Sequence, residues 1–447
     1  MSEFRTIVRH AGTVLAGQLA VMAFGVTDTI VAGRFSEQAL AALAVGSAVY
    51  ITVFVALMGM LQALLPVWAE LHGAGKGPEV GRSVRQALYL AALASVTGVV
   101  ALFFPGALLQ WTEVPDSLQG DVRHYLAVLA FALPPALAFR MFSTLNQSLG
   151  KPKLVTWLQL VSLAVKIPLT IWFAFGGLGV PAMGAVGCAW ATLVVNYLLL
   201  AMSLWLLRTQ SLYRPHAIWE PMERPDWHAI AQFARLGVPA GLAIMVEVTS
   251  FTLMALFISR QGTQAAAAHQ VASNLAAVMY MVPLSIAIAT SARVSYWLGA
   301  GQAKLARGAI RTGFKLGFGM AVSMSALLLL ARHGIAAIYS SDAQVTAIAA
   351  GLLAWLAAYH LGDAAQGLCV FVLRCYRVAI APLVAYCVLL WGMGLAGGFV
   401  LAYRGLGAWP AQHSPAAFWI AAAAALAVLA VILPLILWRA VRAWRPA

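Results

Sequence analysis

Residues 11–33 read AGTVLAGQLAVMAFGVTDTIVAG, an apolar stretch in which Asp28 is the only charged side chain. About 20 apolar residues in a helix cross the roughly 30 Å hydrocarbon core of a bilayer. The stretch therefore predicts a membrane-spanning helix. Arg5 and Arg9 precede it, but it has no small-residue cleavage site and it contains Asp28, so we interpret it as a retained helix and not as a signal peptide.

Eleven further stretches resemble the first in length and hydrophobicity. The chain is 62% hydrophobic and only 9% charged, with a mean hydropathy of +0.87, which excludes a soluble domain. We predict an all-α polytopic membrane protein with twelve transmembrane helices. The predicted spans cover residues 11–33, 43–68, 86–108, 123–148, 154–176, 182–207, 231–259, 266–292, 310–331, 347–373, 378–403 and 415–438.

The formal net charge of +14 raises the question of a nucleic-acid partner, but the basic residues are dispersed through the short loops between apolar stretches. Of 28 lysines and arginines, twenty lie in loops on the side of the N-terminus and five lie in the opposite loops. Cytoplasmic loops of membrane proteins carry this excess of positive charge. We therefore expect both termini in the cytoplasm, the lipid bilayer as the partner, and no nucleic acid.

A weak internal repeat divides the chain into halves. Gly73–Gly75 and Gly299–Gly301 both read Gly-Ala-Gly, 226 residues apart, and Arg85 and Arg311 follow them at the same offset. Each half contains an even number of predicted helices, so both halves enter the membrane in the same direction. Such parallel repeats are related by an axis along the membrane normal, and they predict a central cavity between two bundles.

The longest polar stretch separates the two halves and contains Pro215, Pro221 and Pro225. Proline and mixed charge favour a solvated connection. The predicted domains are an N-terminal lobe over residues 1–207, a cytoplasmic linker over 208–230 and a C-terminal lobe over 231–447.

Three carboxylates lie inside apolar stretches, namely Asp28, Glu247 and Asp363. A charge at the centre of a bilayer costs roughly 2.5 to 3.5 kcal/mol, so such groups usually face a cavity, a partner or a transported ion. Tyr359 precedes Asp363 by one helical turn and could supply a further oxygen on the same face. Glu247 and Asp363 could hold a sodium ion or share a proton, and the sequence alone favours neither.

Lys166 lies midway along the fifth apolar stretch, where an ammonium group needs a counter-charge or water. Asp28 is the only acidic residue in the helices of that lobe, so we predict an ion pair in which Lys166 competes with a proton for Asp28. Snorkelling of Lys166 into a hydrated cavity is the alternative. His360 follows Tyr359 directly and could titrate near neutral pH, although a packed or hydrogen-bonded histidine is the simpler interpretation.

Several motifs, taken in order along the chain, resemble the multidrug and toxic compound extrusion (MATE) transporters, and the resemblance is strongest to the NorM-like branch. It extends from about residue 10 to 390. The matching motifs are Val26–Thr29 with Ala32 and Gly33, Leu40–Leu43, the two Gly-Ala-Gly loops, Gly184–Cys188 with Ala191 and Thr192, and Ala267–Gln270.

The resemblance implies the MATE fold, in which two six-helix lobes are related by a pseudo-two-fold axis. It also implies a secondary active transporter in a bacterial-type inner membrane, which exchanges Na+ or H+ for organic cation drugs and dyes by alternating access of the two lobes. Glu247, Asp363 and Tyr359 match the coupling residues of the second lobe, where they would bind sodium if the coupling ion is Na+. Asp28 matches the acidic residue of the first lobe, a coupling residue that the resemblance associates with protonation and substrate release. A monomer suffices, and no cofactor other than the coupling ion is expected.

The chain departs from this family at a few positions. Asparagines usually flank the Ile-Pro-Leu core of the fifth helix, whereas this chain has Lys166 and Thr170 there, and His360 stands where glutamine is common. These three residues are candidates for modulating coupling. A lipid-linked oligosaccharide flippase of the same superfamily is the alternative function, although it would favour a more basic cavity. No HExxH, GxSxG or aspartate-rich motif indicates an enzyme.

Overall fold

The computed structural model describes residues 3–106, 116–177, 179–405, 407 and 410–444. The predicted end of the third span at residue 108 and the last three residues of the predicted C-terminal lobe lie outside these ranges. Within them, twelve helices are long and apolar enough to cross a membrane, as predicted. In chain order, α1 to α12 are Glu3–Phe35, Glu37–Gly73, Gly77–Phe103, Leu118–Ser148, Lys153–Phe175, Gly184–Thr209, Trp227–Ser259, Thr263–Gly299, Ala303–Tyr339, Ala343–Cys375, Ile380–Tyr403 and Ala416–Ala443.

Several helices are considerably longer than the predicted apolar spans. Helix α8 has 37 residues, which corresponds to about 55 Å at 1.5 Å per residue and exceeds the hydrocarbon thickness of a bilayer. The sequence pattern reported only the apolar central part, because polar turns at both ends continue the helix without adding to the hydropathy. Two helices are also irregular: α2 is interrupted between Gln62 and Leu65, and α11 contains a π-helical segment, Cys387–Ala396.

The described chain forms two compact units. The first unit comprises Thr13–Gly241, and the second comprises the described residues of Met1–Gly12 and Leu242–Ala447. Each unit contains its own apolar core. The boundaries of the units fall inside α1 and α7, so each of these two helices contributes residues to both units.

The two Gly-Ala-Gly loops adopt the same backbone conformation, which supports the internal repeat. Gly75 and Gly301 both have φ +72°, a left-handed conformation that glycine adopts without a steric penalty. In each copy the amide of this glycine donates to the carbonyl three residues earlier, and the next residue donates to the carbonyl five residues earlier. This arrangement ends a helix by satisfying its last carbonyl groups. The repeat is therefore a shared helix-terminating turn.

The polar linker is fixed to α3 of the first unit. Arg85 is almost fully buried and donates to both carboxylate oxygens of Glu223, at 2.6 and 3.3 Å, to Glu220 at 3.1 Å and to the carbonyl of Ala217. The side chain of Gln86 donates to the carbonyl of Arg224 and accepts the amide of Asp226. The residues that precede α7 are thus held against the N-terminal end of α3. The distribution of basic residues predicts that this end faces the cytoplasm.

Replacing Glu223 by glutamine removes its ion pair with Arg85 and is expected to lower the free energy of unfolding at pH 7. The loss should be only about 1 kcal/mol, because Glu223 is partly exposed and solvent screens the pair. Hydrogen bonds from Arg85 lower the pKa of Glu223 below its ordinary value of 4.5. The stabilisation is therefore present above that value and is lost as the pH falls through the lower pKa of the folded protein.

Thermal unfolding of the detergent-solubilised protein between pH 3 and pH 8 measures this effect. Glu79→Gln is the matched control, because Glu79 of α3 forms an exposed ion pair with Lys76, the residue just before this helix. We expect this control to unfold like the wild type. A Glu223→Gln variant as stable as the control at pH 7 would contradict the prediction.

Candidate functional site

An ion pair between Asp28 and Lys166 lies inside the first unit. The Nζ atom of Lys166 is 2.9 Å from each of the two carboxylate oxygens of Asp28. Lys166 is completely buried, and only 9% of Asp28 is exposed. The predicted pairing of these two residues is confirmed. Since both charges are removed from solvent, each one depends on the other for compensation.

Two threonines complete the polar contacts of this ion pair. Lys166 donates to Thr192 Oγ1 at 2.6 Å, and Thr192 in turn donates to the carbonyl of Cys188. Thr170 donates to Asp28 Oδ1 at 3.4 Å. The ring of Phe24 lies 5.9 Å from Lys166 Nζ. The structure thus brings together Asp28 and Lys166, as the sequence predicts, and adds Thr170 and Thr192.

Glycines allow the three helices of this site to approach each other closely. A Cβ atom at Gly187 of α6 would collide with the backbone of Phe173 in α5. A Cβ atom at Gly17 of α1 would collide with the side chain of Gln159 in α5. The contact at Gly187 is with backbone and requires glycine for α5 to lie against α6, whereas the end of the flexible Gln159 side chain could move away from a Cβ atom at Gly17. Lys166 of α5 reaches acceptors on both α1 and α6.

The second unit holds Glu247 of α7 and Asp363 of α10 close to one side chain, the amide of Gln366. Gln366 Nε2 donates to Asp363 Oδ1 at 3.0 Å and to Glu247 Oε1 at 3.4 Å. Asp363 is 4% exposed and Gln366 is fully buried, whereas Glu247 is half-buried. Within the described residues, neither carboxylate forms a salt bridge. This pair of acids therefore differs from Asp28, whose charge is already compensated.

Three tyrosines lie near the two carboxylates, namely Tyr280, Tyr359 and Tyr386. Within the described residues, none of them donates a hydrogen bond to either acid. The ring of Tyr359 also packs edge-to-face against Phe251 and Trp419, with ring centroids 5.7 Å apart in each case. Packing against Phe251 and Trp419 therefore holds Tyr359, the predicted neighbour of Asp363, in place. The structure brings together Glu247, Asp363 and Tyr359.

A buried guanidinium group, that of Arg374, lies further along α10. It is 2% exposed and stacks on the ring of Phe371, with 4.5 Å between the guanidinium carbon and the ring centroid. Eleven residues separate Asp363 from Arg374, which places Arg374 on nearly the same helix face and about 16 Å along the axis. At that separation, a Coulomb interaction with Asp363 is worth about 1 kcal/mol at an effective dielectric constant of 20. Arg374 also interacts electrostatically with Glu247, but it forms no salt bridge with either acid within the described residues.

His360 is almost fully buried in α10, and its Nε2 atom has no hydrogen-bond partner within the described residues. No hydrogen bond connects it with the carboxylate pair in that part of the chain. Gln366 and Arg374 are the functional candidates that sequence reasoning missed. Gln366 follows Asp363 by three residues, which places both on the same helix face, and this spacing was the available signal. An amide costs less to bury than a charge, so Gln366 was not distinguished from other polar residues in apolar helices.

Comparisons with known proteins agree with this architecture. The family model described as MatE matches residues 14–172 and 239–400. The probable multidrug resistance protein NorM of Aromatoleum aromaticum is 36% identical over 431 residues, which are 95% of this chain and 92% of that protein. The multidrug resistance protein PmpM of Pseudomonas aeruginosa is 33% identical over 444 residues, which cover 99% of this chain and 92% of that protein.

A solved structure has the same fold. The crystal structure of a mutant of the Vibrio cholerae MATE transporter VcmN superposes with a TM-score of 0.88 and 16% sequence identity, covering 99% of this chain and 98% of that one. At this identity the likeness concerns the fold alone. The predicted all-helical architecture with twelve membrane helices is therefore confirmed.

Proposed function

This chain belongs to the MatE family, and its relatives include multidrug resistance proteins. On this basis we propose that it is a multidrug efflux transporter that exchanges Na+ or H+ for organic cations. It is a multi-pass protein of the inner membrane, as its twelve helices and its bacterial relatives indicate. The fold is that of membrane transporters and not of enzymes. Substrates are drugs and dyes that carry a positive charge.

The observation that carries this proposal is the carboxylate pair of the second unit, which forms no salt bridge within the described residues. Both acids lie in membrane helices and share one amide donor. They attract a cation, because an unpaired charge in the membrane costs several kcal/mol and a bound cation offsets this cost. An inorganic cation and an organic cation can each compensate them. When both occupy the site at once, they repel each other, so the binding of one favours release of the other. Alternate exposure of the site to the two sides of the membrane turns this competition into antiport.

The first unit contributes differently in this proposal. The ammonium group of Lys166 already occupies the position beside Asp28 that a coupling ion or a cationic drug would otherwise take. Asp28 therefore becomes available only when Lys166 moves away from it. Lys166 and Thr170 act as modulators of the first unit, and the coupling ion binds in the second.

The stoichiometry decides which gradient drives export. Exchange of one monovalent ion for one monovalent drug moves no net charge, so a tenfold ion gradient supplies about 1.4 kcal/mol and sustains a tenfold drug gradient. Two ions for each drug move one net charge, and the membrane potential then adds about 2.3 kcal/mol per 100 mV.

Uptake of ethidium into inverted membrane vesicles that contain the protein tests the proposal. Sodium and pH gradients are imposed separately, and vesicles without the protein serve as the control. We expect at least one of the two gradients to drive ethidium accumulation. Accumulation that no gradient increases above the control would overturn the antiport function.

A further inference from the structure

Gln366 is the side chain that connects the two acids of the second unit. It lies in α10, one turn after Asp363, and is fully buried. Its Nε2 atom donates to Asp363 at 3.0 Å and to Glu247 at 3.4 Å, so one amide nitrogen serves both carboxylates. A neutral amide in this position holds two acids of the same charge near each other.

The other end of the same amide has no partner. Gln366 Oε1 is buried and accepts no hydrogen bond within the described residues. A buried acceptor without a donor costs about 1 to 3 kcal/mol of stability. The presence of such an oxygen beside Glu247 and Asp363 therefore needs an explanation. The oxygen and nitrogen of an amide exchange places when the group rotates by half a turn about the Cγ–Cδ bond, a torsion with broad preferences.

The rotated amide suits a different occupant of the site. Its oxygen would repel two ionised carboxylates, but a metal cation between the three groups reverses the sign of that interaction. Carboxylate and carbonyl oxygens are the ligands that hard cations prefer. A proton, in contrast, forms a covalent bond with one carboxylate oxygen and needs no further oxygen ligands.

On the basis of the proposed function, we propose that Gln366 determines the preference of this site for Na+ over a proton. With no ion bound, Nε2 bridges Glu247 and Asp363. With Na+ bound, the amide is rotated and Oε1 becomes a ligand of the ion. Removing the amide therefore weakens sodium binding more than it weakens proton binding.

Equilibrium binding of radioactive Na+ to the purified full-length protein tests this role. Gln366→Leu, which retains size but lacks both polar atoms, is expected to raise the Kd for Na+ at least tenfold, a change of about 1.4 kcal/mol. Gln366→Glu retains an oxygen ligand and adds a charge, so we expect a Kd at or below that of the wild type. Gln147→Leu is the matched control, because Gln147 of α4 is also buried with an unpartnered Oε1 but belongs to the first unit. Its Kd should remain that of the wild type.

Ethidium uptake into vesicles provides the second readout. Sodium-driven uptake by Gln366→Leu should fall more than pH-driven uptake relative to the wild type, whereas general damage would lower both rates alike. Unchanged sodium affinity in Gln366→Leu would overturn the role of Gln366. If that variant does not fold, a loss of sodium binding in Gln366→Glu overturns it equally. A wild type that binds no Na+ but transports ethidium with a pH gradient also overturns it, and leaves the proposed antiport function standing.

Discussion

Asp363→Asn is expected to reduce ion-driven ethidium efflux to less than about a tenth of the wild-type rate. The substitution removes one negative charge from a pair that has no salt-bridge partner within the described residues. An interaction with a monovalent cation at about 4 Å is worth about 4 kcal/mol at an effective dielectric constant of 20, so loss of one carboxylate removes much of the binding energy of the coupling ion. Uptake into inverted vesicles under sodium and pH gradients measures the loss.

Asp342→Asn is the matched control for this substitution. Asp342 caps the N-terminus of the same helix, α10, where its Oδ1 accepts the amides of Gln344 and Val345. Asparagine caps helices about as well as aspartate, so this variant should transport like the wild type. Asp363→Asn efflux above half of the wild-type rate, at equal protein abundance, would show that Asp363 is not the coupling carboxylate.

Lys166→Met is expected to lower the free energy of unfolding by about 3 to 5 kcal/mol, because removal of one partner of a buried ion pair leaves the other charge uncompensated. Lys166 is fully buried, and its ammonium lies 2.9 Å from both oxygens of Asp28. In the double variant Asp28→Asn with Lys166→Met no unpaired charge remains, so we expect much of the stability to return. Thermal unfolding in detergent measures both variants.

Lys315→Met provides the control for loss of a lysine in a membrane helix. Lys315 is exposed in α9, and its removal should change stability little. A Lys166→Met protein as stable as Lys315→Met would mean that the ion pair does not compensate Asp28. A double variant less stable than either single variant would contradict the pairing argument in the same way.

Lys166→Asn tests whether the ion pair modulates coupling. Without the ammonium group, Asp28 requires another cation, so a proton can take the place of Lys166. We therefore expect the pH dependence of ethidium efflux to become steeper than in the wild type. An unchanged pH profile would show that Lys166 stabilises the fold of the first unit without affecting coupling.

The features that could be predicted from the sequence are those for which the alternative costs several kcal/mol, such as an unpaired charge or unsatisfied backbone in the membrane. Twelve apolar stretches identified twelve helices, because no other structure satisfies the backbone in hydrocarbon at that length. The pairing of Lys166 with Asp28 was predictable because Asp28 is the only acidic residue in the predicted spans of its lobe. Gly75 and Gly301, in turn, marked two helix ends by the same turn.

Other features depend on contacts between residues far apart in the chain. Arg85 reaches Glu223 across 138 positions, and the prolines of the linker gave no sign that it would be held against α3. Gln366 carries no charge, so the cost of burial did not distinguish it from other polar residues in apolar helices. The helix ends extended beyond the predicted spans because hydropathy reports the hydrocarbon core and not the helix.

Competition between an organic and an inorganic cation is the central claim, and it can be measured at equilibrium. Ethidium bound to the purified protein is followed by fluorescence anisotropy while Na+ is raised at constant ionic strength with potassium chloride, and separately while the pH is lowered. The account predicts that at least one of these titrations releases the dye and raises its apparent Kd at least about tenfold, a change of about 1.4 kcal/mol. Dye that stays bound with unchanged Kd in both titrations, in a protein that still exports it, would contradict the account.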